Sequence, residues 1–216
     1  MSIIIERFNK IKSNIDAISN TKLVNIIAVS KTFTLEHIHP LIEHGHTHFG
    51  ENKVQEAIAK WTHQKKINSN LKLHMIGKLQ SNKAKDAVKI FDYIHSLDNQ
   101  KLADNLAKHQ LNLKKNLKYF IQVNIGNEIQ KSGIPVNELD SFYNYCINEI
   151  NLRIIGLMVI PPNDNKPERY FKTLNELNKS LGLKNLSMGM SADYIEAIKH
   201  GSNYVRIGSS IFGVRS

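Results

Sequence analysis

No apolar run in the sequence approaches the ~18 residues of a membrane span, so nothing in it reads as a transmembrane helix. The opening stretch MSIIIERFNKIKSN has too short an apolar segment for a signal peptide, and the expected location is the cytoplasm. One cysteine, Cys146, excludes an internal disulfide. It falls in a helical pattern with Phe142, Tyr143 and Ile150 and reads as a buried core thiol. Five prolines and eleven glycines in 216 residues, with no Pro/Gly/Ser-rich tract, exclude a low-complexity chain and leave no linker; one domain over residues 1–216 is expected. Acidic residues are outnumbered, 19 Asp+Glu against 29 Lys+Arg, for a formal net charge of +10. The basic residues are scattered, however, and the pairs Lys65-Lys66 and Lys114-Lys115 lack interleaved aromatics. That pattern argues against nucleic acid and for solvated helical faces. Missing too is a G-x-G-x-x-G fingerprint after the first strand, which weakens the case for an open dinucleotide-binding sheet.

What the chain does have is a regular alternation of strand and helix patterns. Ile4, Phe8, Ile11, Ile15 and Ile18 mark an amphipathic opening helix, expected to pack as a lid or plug. VNIIAVSK (24–31) follows, with Val24, Ile26, Ile27 and Val29 β-branched, a strand buried on both faces. Thr34 caps a helix carrying Leu35, Ile38 and Ile42 and ended by Gly45. HFGEN closes a second strand, and Asn52 opens a helix with Val54, Ala57, Ile58 and Trp61 inward. LHMIG (73–77), YIHSL (93–97), YFIQVNI (119–125), RIIGLMVI (153–160), NLSMGM (185–190) and YVRIG (204–208) complete eight strands. Helices separate them, one capped by Asp98 and another begun by Pro135. Eight such units predict an α/β protein with a (β/α)8 barrel and an extra N-terminal helix. Sites on such barrels lie where strands end, here Lys31, Asn52, the Gly77 loop, Ser96, Asn124, Met158, Ser191 and Gly208, which are expected to converge on one pocket.

Lys31 leaves the first strand beside apolar surroundings, where desolvation favours the free amine and hence attack on aldehydes; a solvated strand-edge lysine is the plainer reading. SMGMSAD and VRIGSSIFG place small residues at the last two strand ends, with short helices expected to begin at Ser191 and Ser209. Backbone N–H groups there can cradle phosphate, or Gly189 and Gly208 only relieve crowding at turns. A phosphate cup opposite a strand-end lysine suggests pyridoxal 5'-phosphate (PLP). Arg206 shares the pleat face of Gly208, so it either faces the cofactor ring or serves as a buried ion-pair partner, with Glu51 as candidate. A donor-only arginine at the pyridine nitrogen would keep it unprotonated and weaken the ring as an electron sink.

The segments AVSKT, FGENKVQE, HMIGKLQSNK, QVNI with KSG, GLMVIPP, LSMGMSAD and GSNYVRIGSSIFGVR together resemble the pyridoxal phosphate homeostasis proteins, barrels like the N-terminal domain of alanine racemase. The resemblance implies that Lys31 forms the internal aldimine, that Arg206 meets the pyridine nitrogen, and that Ser191, Gly208 and Ser209 hold the phosphate. It further implies that Asn52 and Met190 line the pocket. A PLP-binding protein of intracellular PLP homeostasis and amino-acid balance is therefore expected, without turnover, handing PLP to PLP-dependent apoenzymes. The alternative is a fold-type III racemase or lyase acting on a small amino acid. Racemases of this barrel draw a second base from an extra domain, and the chain is expected to lack one, since it stops after the last barrel unit. A monomer is expected. His74 with Lys78, Gln80, Asn82 and Lys83 is expected to form a polar cluster around the end of the third strand. Lys131 is either a second amine at the pocket rim or a loop lysine. The alternating His44, His46 and His48 lack companion ligands, so no metal is expected.

Overall fold

The computed structural model describes residues 2–19, 23–126, 128, 132–164 and 166–213. The strands are β1 (Asn25–Val29), β2 (His48–Glu51), β3 (Lys72–Met75), β4 (Tyr93–Leu97), β5 (Lys118–Asn124), β6 (Ile134–Pro135), β7 (Ile154–Met158), β8 (Asn185–Met190) and β9 (Tyr204–Ile207). All pairings are parallel, and β4 with β5 joins the two ends of the order β4-β3-β2-β1-β9-β8-β7-β5 into a closed ring of eight. The two-residue β6 adds beside β5 outside the ring. Every one of the eight expected strands is present, in the expected order.

The outer layer consists of α1 (Ile3–Ile18), α2 (Leu35–Glu43), α3 (Val54–Ile67), α4 (Ala84–Ile90), α5 (Gln100–Asn112), α6 (Leu139–Asn144), α7 (Pro167–Ser180), α8 (Tyr194–Lys199) and α9 (Ser209–Phe212). A π-helical turn, Tyr145–Glu149, extends α6 and buries Cys146, whose thiol burial pushes up to about 12, as a core thiol requires. Among the described residues no helix is long and apolar enough to cross a membrane.

Local chemistry explains where the chain departs from expectation. Thr34 caps α2 as predicted, its hydroxyl accepting from His37 N at 3.4 Å. The cap of α5 is Asn99 rather than Asp98, its side chain accepting from Leu102 N at 2.9 Å. Pro135 does not begin a helix: its φ of −57° and ψ of 146° are extended, it pairs beside β5, and helical turns start at Val136. A proline fits an edge position because its missing N–H is not needed there. The opening helix buries Ile4, Phe8, Ile11 and Ile15 and packs against α2, α8 and α9, with Phe8, Lys12 and Ile15 also bordering a cavity beside Asn25, Ile26 and His48 at the strand starts.

Strand alternation divides the core in two. Outward residues pack under the helices, with Phe49, Trp61 and Phe171 fully buried. Inward residues Ile27, Tyr93, Phe120, Met158 and Tyr204 fill the barrel. Gly50 leaves room for them, since a Cβ there would lie 2.8 Å from Ile27 Cγ2. Because Gly50 faces inward, Glu51 must face outward. It therefore does not pair with Arg206. Its carboxylate accepts instead from Trp61 Nε1 and Lys60 Nζ, both at 2.9 Å, and from Ser30 Oγ at 2.8 Å.

Candidate functional site

Lys31 sits in a tightly held turn. β1 ends at Val29, Ser30 is buried, and Ser30 N donates to Gly50 O at 3.0 Å. Lys60 Nζ bonds Ser30 O at 2.8 Å, and Glu56 Oε1 accepts from Thr32 N at 2.5 Å. Thr32 has φ of 69°, a left-handed conformation unfavourable for a β-branched residue, which these bonds sustain. Glu51 and Lys60 bind the same turn from beneath. Burial pushes the Glu51 carboxyl above its ordinary range against the pull of Trp61, Lys60 and Ser30. The half-buried Lys31 side chain thus leaves a fixed backbone.

Arg206 lies 4% exposed inside the barrel on β9. Its Nη1 donates to Ser187 O and Ser187 Oγ, both at 2.7 Å, and its Nη2 to Val159 O at 2.9 Å. Three of the five N–H donors of a guanidinium are thereby used, which leaves two for a ligand. Burial pushes its pKa down to about 10, so it stays a cation near neutral pH.

The last two barrel strands end in loops that meet. Ser191 Oγ accepts from Gly208 N at 3.3 Å and Ser210 N at 3.4 Å, so two backbone N–H groups aim at one acceptor point. Both bonds are longer than the usual ~2.9–3.0 Å. Ser209 begins α9 as expected, whereas Ser191 lies in a turn and α8 starts at Tyr194. That turn is closed by Asp193 Oδ1, which accepts from Met190 N at 2.6 Å. Gly189 (φ 91°) is there for space: a Cβ would come within 2.6 Å of Ala197 Cβ, so the crowding explanation holds for this glycine.

These pieces border one cavity of about 520 Å³, inside the ~300–1,000 Å³ range of small-ligand sites. Lys31, Asn52, Met190, Ser191, Arg206, Gly208 and Ser209 all line it. So do Val29, Phe33, Ile76, Ile160, Ala192 and Gly213, which the sequence reading did not single out. Ile76 and Ile160 had a signal, each lying at the carboxyl end of an apolar strand run and just past the strand itself, β3 ending at Met75 and β7 at Met158. Phe33 and Gly213 are brought in by turns and had none.

Other strand-end candidates do not converge there. Met158 packs in the barrel interior, Ser96 is buried elsewhere, and Asn124 binds its own loop at Glu128 O. The Gly77 loop and Asn124 border a neighbouring cavity of about 340 Å³, shared with Asn52 and Ile160. Gly77 is needed for that approach, because a Cβ would sit 2.5 Å from Asn52 O. Lys78, Gln80 and Lys83 line a third cavity, but His74 is not among them; it points into the barrel. The three alternating histidines diverge. His46 packs between Phe8 and Phe49, His44 bonds Asn9 Oδ1, and His48 turns inward. Lys131 lies outside the described residues.

The sequence model of the alanine racemase N-terminal domain matches residues 7–216. A pyridoxal phosphate homeostasis protein of Pasteurella multocida is 41% identical, the match covering 89% of this chain and 87% of that protein. The chain belongs to the pyridoxal phosphate homeostasis protein family. A homeostasis protein of Escherichia coli K12 is 37% identical over 89% of this chain and 86% of its own length. Among solved structures, PipY of Synechococcus elongatus PCC7942 with PLP bound superimposes with a TM-score of 0.87 at 33% identity, covering 98% of this chain and 100% of that one. The alanine racemase of Corynebacterium glutamicum shares the fold alone, with a TM-score of 0.69 at 16% identity; the match spans 99% of this chain and 61% of that one. Homeostasis proteins of this family are thus matched almost end to end.

Proposed function

We propose that the chain binds PLP in the 520 Å³ cavity and serves intracellular PLP homeostasis and amino-acid balance without turnover of its own. The observation that carries this reading is convergence: an amine, a guanidinium with two spare donors, and two N–H groups aimed at one point share a single cavity. Lys31 would supply the amine that holds PLP by its aldehyde. Gly208 and Ser210 N–H, with the Ser191 and Ser209 hydroxyls, hold the phosphate. The spare donors of Arg206 would hold the pyridine nitrogen, and Asn52 and Met190 would line the remainder of the site. When bound, PLP supplies an electron sink for carbanions at an amino acid's α-carbon. A donor-only partner on its nitrogen blunts that sink, which suits storage better than catalysis.

The relatives' name supports homeostasis, and PLP-dependent apoenzymes are the recipients we propose. A monomer in the cytoplasm completes the reading. A fold-type III racemase or lyase is favoured only by the shared barrel. Two-base exchange needs an acid or base on each face of the substrate, and among the described lining residues Lys31 is the amine that serves one face.

The deciding experiment is the absorption spectrum of the purified protein with PLP, before and after borohydride, followed by mass mapping. A reducible band and a phosphopyridoxyl adduct on Lys31 are expected; an adduct elsewhere, or none, overturns the site. α-Hydrogen exchange of amino acids in deuterated water at enzyme-like rates would overturn the carrier role.

A further inference from the structure

From the cavity wall inward, five polar side chains follow one another across the barrel. Arg206 Nη1 donates to Ser187 Oγ at 2.7 Å, and Ser187 Oγ lies 2.8 Å from His95 Nδ1. His95 Nε2 is 2.9 Å from His74 Nδ1, and His74 Nε2 is 2.9 Å from His48 Nδ1. Ser187, His95 and His74 are fully buried, whereas His48 opens toward a separate cavity at the other mouth of the barrel, beside Asn25 and His46. Flat stacking keeps the rings in place, His74 on Tyr93 at 4.2 Å and His95 on Phe120 at 4.4 Å.

Direction follows from donor counting. A guanidinium only donates, so the Ser187 hydroxyl accepts from Arg206 and has one proton to give. Its open acceptor is His95 Nδ1, which puts the His95 proton on Nε2. The same step puts the His74 proton on Nε2 and leaves His48 Nδ1 as the final acceptor. The opposite direction would turn the His95 proton onto Ser187 Oγ and leave the buried Ser187 proton without an acceptor, a loss such a site resists.

We propose that Arg206 imposes one direction on the chain Ser187–His95–His74–His48, that Ser187 and His95 are positioning residues for Arg206, and that the chain ties Arg206 to the protonation of His48 at the far mouth. The last part rests on the PLP reading, because there Arg206 meets the cofactor. His48 has its own proton on Nε2, so an added proton must go to Nδ1, where His74 already donates. Protonation therefore forces the whole chain to reverse and leaves Ser187 facing two donors. Lys72 and Lys118 oppose that charge on His48, Asp92 favours it, and His46 and Tyr93 are its neutral neighbours. Asp193 is the acidic group acting on Arg206.

The test uses the full 15N-labelled chain without added PLP, with long-range 1H–15N correlation spectra at neutral pH. Neutral His74 and His95, both protonated on Nε2, are expected. Ser187→Ala keeps the carbonyl that Arg206 binds but removes the hydroxyl, and should release His95 and His74 into mixed tautomers; Ser187→Thr should restore the single state. Nδ1-protonated rings in the wild type, or tautomers unmoved by Ser187→Ala, overturn the chain. For the link, equilibrium dialysis of PLP at about pH 7.5 and about pH 5.5 should show wild type losing about threefold more affinity than His48→Gln, which accepts but does not titrate in that range. Equal losses overturn the link. Wild type that binds no PLP yet shows the expected tautomers overturns the PLP reading and leaves the chain direction standing.

Discussion

The two ends of the barrel are built from the same eight strands and behave as opposites. At the carboxyl ends, loops leave a cavity with half-buried Lys31 and exposed Met190 and Ile160 at its border. Toward the amino ends the interior is filled: Tyr93, Phe120 and Tyr204 pack it, and His74 and His95 are wholly buried with every ring nitrogen bonded. Loops can vary at little risk to packing, so chemistry collects at one end; side chains in the barrel must fill space and satisfy each other, so the other end holds the fold. Arg206 belongs to both, reaching the cavity above while anchored to Ser187 and Val159 within.

Substitutions should separate the two ends. The largest effect falls on ligand binding alone. Lys31→Ala should abolish the visible band of bound PLP and the borohydride adduct, while chemical denaturation shows a stability change under about 1 kcal/mol, since the side chain is only half-buried. A retained band would place the bond elsewhere. In the packed interior, Phe120→Ala removes a fully buried ring and should destabilise by ~3–5 kcal/mol in urea unfolding. A loss below about 1 kcal/mol would mean that the interior collapses around the gap.

Acid should act through the histidines inside the barrel and beside its amino mouth. Burial holds His46 down to about 4 and lowers His74 and His95 as well. The unfolded chain takes up these protons first, near pH ~6.5, while the folded protein refuses them. Stability is therefore complete above about 6.5 and declines as pH falls toward 4, by up to ~1.4 kcal/mol per pH unit for each such histidine. Thermal melts across that window check this, and a flat Tm would show that the histidines charge in place. The smallest effect belongs to the cavity border: Met190→Ala should change stability by less than about 0.5 kcal/mol, because the residue is 38% exposed, and should only weaken PLP binding.

Much of this was legible beforehand. Eight apolar strands and their amphipathic helices follow from periodicity, which a barrel buried on both faces enforces. The seven candidate residues share one cavity because each follows a strand end or lies on its inward face, and strand ends meet at one mouth. The failures also have causes. Pairing Glu51 with Arg206 neglects pleat parity: Gly50 faces inward, so Glu51 faces α3. Grouping His74 with its sequence neighbours Lys78, Gln80, Asn82 and Lys83 overlooks that a strand residue meets side chains on adjacent strands, here His48 and His95, 26 and 21 positions away.

From the sequence alone came the order of elements, the closure class and a lysine, an arginine and small-residue loops at the right strand ends, since periodicity and turn chemistry are local properties. The tertiary structure alone decided which polar groups touch. Lys60 reaches the Lys31 turn from thirty residues away, Ser191 joins two loops, and three histidines and a serine line up under Arg206. Such pairings depend on strand register and on inward or outward parity around a closed ring, and one residue of slip would exchange every one of them.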